Sequence, residues 1–183
     1  MKILTGYLKG RPIRLAPNEN LRPTSDLVRK SIFDTLQGVL EGKRALDLFC
    51  GTGALGFEAL SSGASEVVWV DSERAQAEAV EKTIVDLVLQ DLGRVIQSDV
   101  FRTIESLSRQ GESFDVIFLD PPYHKGMGMK AVKLICEANI LSPAAILVLE
   151  THKTEDPPQV FGNLKTVKMK KHGDTKVTFY RVV

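Results

Sequence analysis

The chain of 183 residues predicts an α/β fold: a doubly wound, mostly parallel sheet that closes on an antiparallel hairpin. Three observations predict it. Short apolar runs such as Phe114-Asp115-Val116-Ile117-Phe118-Leu119 have the composition of strands buried on both faces. Longer stretches with helical spacing of apolar residues separate them. At the end, two strand-like runs flank Gly173-Asp174, which is a hairpin signal rather than another crossover.

In chain order, residues 1–15 alternate weakly and read as a small N-terminal β-hairpin turning near Gly10, followed by a loop at 18–22. Thr24, Ser25 and Asp26 are N-cap candidates for a helix whose apolar stripe is Leu27, Val28, Ser31, Ile32, Thr35 and Leu36, with Arg29 and Lys30 off that stripe. Strands are expected at 44–49, 66–70, 94–97, 114–119 and 144–149, ending on or just before Asp71, Asp99, Asp120 and Glu150. Helices are expected at 57–62, 72–89, 100–110 and 129–139. Residues 153–162, with Pro157-Pro158, read as loop, and 164–171 with 176–183 as the closing hairpin. One domain over 1–183 is expected, with 1–20 as a hairpin extension and 21–183 as the core.

The composition is that of an ordinary globule, with 43% hydrophobic and 26% charged residues. No apolar run approaches the ~20 residues of a membrane span, so no membrane association is expected and the cytoplasm is the default. Cys50 and Cys136 have no metal-ligand spacing, and the histidines His124, His152 and His172 are scattered, so no metal is expected. The net charge of +1 hides a segregation. Residues 1–44 carry nine Lys/Arg against four Asp/Glu, residues 45–160 nine against eighteen, and residues 161–183 six against one. Two basic ends that fold to one side would make a rim for phosphates.

The chemistry concentrates in two motifs. Pro121 has no N–H for a ladder, so the fourth strand stops there and leaves Asp120 at its carboxyl end, where open α/β sheets bind ligands. An acid, carbonyls fixed by Pro121-Pro122 and the ring of Tyr123 suit a planar base with an exocyclic amine, which offers N–H donors and a stacking face. Upstream, Gly51, Gly53 and Gly56 match the G-x-G-x-x-G spacing, with Asp71 twenty residues after Gly51. That spacing alone fits a dinucleotide site. Asp47 argues against one, because a carboxylate beside the loop repels a pyrophosphate and welcomes a cation. S-adenosylmethionine carries an ammonium, a sulfonium and no phosphate; Asp71 would accept from its ribose and Asp99 sit by its adenine amine.

These residues resemble the class I, Rossmann-like methyltransferases that modify exocyclic amines: Asp47-Leu-Phe-Cys-Gly-Thr-Gly-Ala-Leu-Gly56 and Asp120-Pro-Pro-Tyr123. The stretch Arg22-Pro-Thr-Ser-Asp-Leu-Val-Arg-Lys-Ser-Ile-Phe33 and the ending Gly173-Asp-Thr-Lys-Val-Thr-Phe-Tyr180 narrow this to the bacterial RsmD family, the 16S ribosomal RNA guanine-N2 methyltransferases, which they resemble nearly end to end. Cys50 stands where similar proteins often carry Ala, another small residue.

The resemblance implies direct methyl transfer from S-adenosylmethionine to a guanine N2 amine. It implies a catalytic set of Asp120, Pro121, Pro122 and Tyr123, and a cofactor set of Asp47, Phe49, Cys50, Gly51, Thr52, Gly53, Ala54, Gly56, Asp71, Ser72, Asp99, Val100 and Asp120. The RNA contacts expected are Arg11, Arg14, Arg22, Thr24, Arg29 and Lys30 from the first basic end, and Lys168, Lys170 and Lys171 from the second. A monomer acting on 16S ribosomal RNA within a small-subunit particle is the expected arrangement. Two alternatives stay open on sequence: an adenine-N6 methyltransferase acting on DNA or RNA, and a protein glutamine methyltransferase, which needs the same acceptors.

Overall fold

The computed structural model describes residues 1–17 and 25–183. The loop expected at 18–22, and with it Arg22 and Thr24, lies outside the described residues. The elements are α1 (Asp26–Thr35), β1 (Arg44–Leu48), α2 (Ala54–Ser61), β2 (Glu66–Asp71), α3 (Arg74–Asp86), β3 (Gly93–Gln97), α4 (Val100–Arg109), β4 (Phe114–Leu119), α5 (Met127–Ala138), β5 (Leu141–His152), β6 (Val160–Phe161), β7 (Leu164–His172) and β8 (Thr175–Val182). They form one sheet in the order β3-β2-β1-β4-β5-β8-β7-β6. The first five strands of that order pair in parallel, and β8, β7 and β6 add on antiparallel.

The strand order turns back on itself between β1 and β4, the crevice position where doubly wound sheets hold ligands. The apolar run of β4 shows why the sheet is covered on both sides. Val116 and Phe118 join a core with residues of α1, α2 and α3. Ile117 and Leu119 join a second core with residues of α4 and α5. Alternate residues therefore need opposite partners, and a one-residue slip would exchange the two faces.

The structure departs from the sequence reading in six places. The N-terminal hairpin has a single bridge pair, Lys2 with Pro12, flanked by backbone bonds such as Ile3 N–H to the Arg11 carbonyl at 3.0 Å. Helix α2 begins inside the glycine loop, so Gly56 is helical. Helix α3 covers less than 72–89, stopping short of Val88, whose φ of 58° cannot continue a helix. Strand β5 starts ahead of residue 144, across a register shift against β4, and β6 is a two-residue edge strand inside the stretch read as loop.

The sixth departure is the face of α1. Leu27 is 66% exposed, and Arg29 is fully buried beside Val28, Ile32 and Phe33. Two interactions rotate the helix. Phe33 packs on Phe118 with ring centroids 5.8 Å apart. Arg29 donates from Nη1 to Glu58 at 3.1 Å and from Nη2 to Asp26 at 2.7 Å and to the Lys2 carbonyl at 3.1 Å. Glu58, also buried, accepts from the Leu4 and Thr5 N–H groups at 2.7 and 3.0 Å. This ion pair joins the hairpin, α1 and α2; removing one partner of such a pair typically costs about 3–5 kcal/mol, because the other charge is left buried.

Candidate functional site

A cleft of about 730 Å³ opens at the carboxyl ends of the parallel strands. Its walls include Asp47, Asp71, Asp99, Asp120 and Tyr123, so both sequence motifs face one space.

One half belongs to β1, β2 and the loop after β1. Gly51 has φ of 50° and lines the cleft. Its N–H donates to Asp71 Oδ2 at 2.8 Å, and the Glu73 N–H donates to Asp71 Oδ1 at 2.9 Å. Asp47 Oδ2 accepts the Gly56 N–H at 2.9 Å, while its Oδ1 is buried with no hydrogen-bond partner. Burial holds the Asp47 carboxyl well above the usual carboxylate range, the Gly56 N–H opposes this, and Asp120 and Asp71 push further upward. An acceptor oxygen with no partner, buried in an acidic wall, fits a cationic ligand group such as an ammonium.

Phe49, Cys50, Thr52, Ala54, Ser72 and Val100 also line the cleft, as expected. Asp99 lines it and caps α4 as well, accepting the Arg102 N–H at 3.1 Å. Burial pushes the Cys50 thiol well above its usual range, with Asp47 and Asp71 adding to the shift, so the thiol is protonated and no nucleophile. Two of the expected cofactor glycines act indirectly. Trp69 lies beneath the loop and donates from Nε1 to the Gly53 carbonyl at 3.0 Å. A Cβ on Gly56 would fall 2.1 Å from that Nε1, and one on Gly53 3.1 Å, with Gly53 also at φ of 73°. Both glycines are there for packing over Trp69, and neither is among the residues lining the cleft.

The other half belongs to β4, β5 and β8. Pro121 is buried, and α5 approaches it so closely that a Cβ on Gly128 would meet its Cγ at 2.9 Å. Tyr123 is anchored through its hydroxyl, which donates to Glu150 Oε1 at 2.7 Å and meets Thr175 Oγ1 at 3.0 Å. Burial, together with the charge of Glu150, raises that hydroxyl well above its ordinary pKa, so it stays protonated. The ring sits among His152 and His124, at centroid distances of 5.7 and 6.5 Å.

Glu150, the turn His172-Gly173-Asp174-Thr175, Ser25, Glu73 and Gln76 line the cleft and were missed as site residues. Glu150 was findable, since it follows the apolar run of its strand as Asp120 follows that of β4, and the pairing of Leu119 with Leu149 sets the two acids side by side. The turn was not: it reaches the site only because β8 pairs antiparallel with β5, setting Thr175 opposite His152.

The basic residues separate. Arg29 is no RNA contact: it is fully buried and its guanidinium is committed to Glu58 and Asp26. Arg14 is exposed but forms a bidentate pair with Asp86 on α3. Lys170 donates to the Ser31 carbonyl and hydroxyl, both at 3.1 Å, so it ties β7 to α1. His172 Nε2 reaches the same Ser31 hydroxyl at 2.8 Å. The two basic ends therefore meet at Ser31. Arg11, Lys30, Lys168 and Lys171 remain exposed. Among the described residues no helix is long and apolar enough to cross a membrane.

A model of the family described as conserved hypothetical protein 95 matches residues 1–181. A Haemophilus influenzae protein named ribosomal RNA small subunit methyltransferase D is 34% identical over 84% of this chain and 79% of its own. The Escherichia coli K12 protein of the same name is 28% identical over 99% of this chain and 89% of its own. The solved structure of YhhF from Escherichia coli superposes at a TM-score of 0.88 with 28% identity, covering 100% of this chain and 97% of that one.

Proposed function

The chain belongs to the RsmD family, matched by the model of conserved hypothetical protein 95, and from that premise we propose that it methylates the exocyclic N2 amine of a guanine in small-subunit ribosomal RNA, using S-adenosylmethionine. One observation carries the reading: Asp120, Pro121, Pro122 and Tyr123 line the same cleft as Asp47 and Asp71. The amine acceptors and the cation-binding acids thus share one space.

When bound, S-adenosylmethionine supplies an electrophilic methyl group on its sulfonium. Asp47 holds the ammonium, Asp71 the ribose hydroxyls, and Asp99 the adenine amine. The guanine amine is a poor nucleophile because its lone pair is delocalised into the ring. Its two N–H groups donate to the Asp120 carboxylate and the Pro121 carbonyl, which localises the lone pair. As the nitrogen takes the methyl and the sulfonium leaves as a neutral thioether, the surplus N–H proton passes to the Asp120 carboxylate and from there to water. Positioning of the two reactants in one cleft contributes the rest. Tyr123 stacks on the base, its hydroxyl held by Glu150 and Thr175. A paired guanine must first leave its helix, at a cost of a few kcal/mol.

Arg11, Lys30, Lys168 and Lys171 hold phosphates of an RNA surface presented by a small-subunit particle, on which this small chain acts as a monomer. The test is transfer of labelled methyl groups to small-subunit particles from cells lacking the native activity, followed by nucleoside analysis. The expected product is 2-methylguanosine. Label in 6-methyladenosine would refute the guanine assignment, and label in protein alone would refute the RNA assignment.

A further inference from the structure

Gln76 is 2% exposed, and neither its Oε1 nor its Nε2 has a hydrogen-bond partner. It also lines the cleft. Asp47 Oδ1, assigned above to the ammonium, shares this property in the cleft, whereas the Thr151 and Thr178 hydroxyls and Arg29 Nε belong to residues that do not line it. A buried amide cannot remove its deficit by changing protonation state, as a carboxyl can, so it stays destabilising until something donates to it or accepts from it.

What stands next to it defines the missing partner. Gln76 lies on α3, the helix that follows Asp71 directly. Asp71 has each carboxylate oxygen already engaged by one backbone N–H, from Gly51 and from Glu73. A carboxylate offers acceptors only, so it can take the protons of two sugar hydroxyls but leaves their lone pairs unserved. Asp71 is half-buried, and a lone pair turned from it toward the buried Gln76 side of the cleft, away from water, needs a donor. An amide has both functions, donating from Nε2 and accepting at Oε1.

We propose that the Gln76 side-chain amide is a second ligand of the cofactor ribose, with Nε2 donating to a hydroxyl whose proton Asp71 accepts. The proposal rests on the S-adenosylmethionine reading above. It makes Gln76 a residue that reads the sugar rather than one that supports the fold.

The experiment is calorimetric binding of S-adenosylhomocysteine and of its 2′-deoxy and 3′-deoxy analogues to the parent protein, Gln76→Leu and Gln76→Glu. Gln76→Leu should weaken S-adenosylhomocysteine by about tenfold, the size expected for one buried hydrogen bond. Gln76→Glu keeps an acceptor but loses the donor, so it should lose at least as much. With one of the deoxy analogues the parent and Gln76→Leu should bind equally, because the hydroxyl that the amide serves is gone. The ligand-free melting temperature of Gln76→Leu should equal or exceed that of the parent, since a partnerless amide is replaced by an apolar group of similar size. Equal affinity of parent and Gln76→Leu for S-adenosylhomocysteine would overturn the proposal. So would a loss of the same size with all three ligands, which would mark a change of cleft shape. A parent that binds none of the three would overturn the cofactor reading itself, and the proposal with it.

Discussion

The two halves of the cleft are fastened differently. On the β1–β2 side the acids are fixed by backbone N–H groups of the glycine loop and the turn after β2: Gly56 on Asp47, Gly51 and Glu73 on Asp71. On the β4–β5–β8 side the key ring is fixed by side chains from distant elements, since Tyr123 reaches Glu150 and Thr175, 27 and 52 residues away. The first half is built by adjoining strand ends and their loops. The second exists only after the antiparallel hairpin has closed the sheet. Substitutions in the two halves should therefore separate cofactor affinity from transfer rate.

The largest effect should come from Asp120. Asn at this position keeps one acceptor but brings an NH2 donor to face the amine. A preorganised electrostatic contact of this kind is worth roughly 3–4 kcal/mol in the transition state. Asp120→Asn should lower the single-turnover methylation rate by about 10²–10³, with S-adenosylmethionine affinity nearly unchanged. A parental rate would show that the amine is not held there. The complementary change is Asp71→Ala, which should weaken S-adenosylmethionine by about 1–3 kcal/mol in calorimetry. At saturating cofactor most of the transfer rate should return. A rate that stays low at saturation would erase the division between the halves.

The same contrast explains what could be read from sequence. The strand ends, the glycine loop and the Asp120-to-Tyr123 motif were legible because each is a local pattern: an apolar run that stops at an acid, a proline or a glycine. The alternation of Val116, Ile117, Phe118 and Leu119 between two cores follows from the same run. What escaped depends on contacts between remote segments. The inward turn of Arg29 requires Glu58, and no helical stripe reveals a cation with a buried partner elsewhere. The roles of Gly53 and Gly56 depend on Trp69 lying under them, so the spacing was right while its reason lay in packing. The arrival of the residue 172–175 turn depends on strand pairing across the whole carboxyl-terminal third.

A smaller effect should come from Tyr123→Phe. The ring that stacks on the base remains, while Glu150 and Thr175 lose the hydroxyl that they share. The expected loss is about 1 kcal/mol, or roughly tenfold at most in single-turnover rate. Because burial keeps the phenol protonated far above neutral pH, its removal should leave the shape of the pH–rate profile unchanged. A loss as large as that of Asp120→Asn would mean that the hydroxyl takes part in the transfer itself.

The smallest effect is a fraction of a proton, and it tests how the other half receives charge. Burial, the largest cause, raises the Asp47 carboxyl well above its ordinary range. A raised carboxyl pKa means that the ligand-free fold binds this proton more tightly than the unfolded chain does. Stability from this source is complete below the unfolded pKa and is lost as pH rises through the folded one. An ammonium placed against Asp47 reverses the shift, because it favours the carboxylate. Binding of S-adenosylmethionine should therefore release up to about one proton at pH values between the ligand-bound and ligand-free pKa of this group. Calorimetry in two buffers of different ionisation enthalpy would read the release as a difference in apparent binding heat. Asp47→Asn cannot release that proton, so its two apparent heats should agree, and without ligand it should melt no lower than the parent at pH values where Asp47 would be ionised. Proton release of the same size in Asp47→Asn would place the titrating group elsewhere, and the orphaned Oδ1 would then have no part in holding the cation.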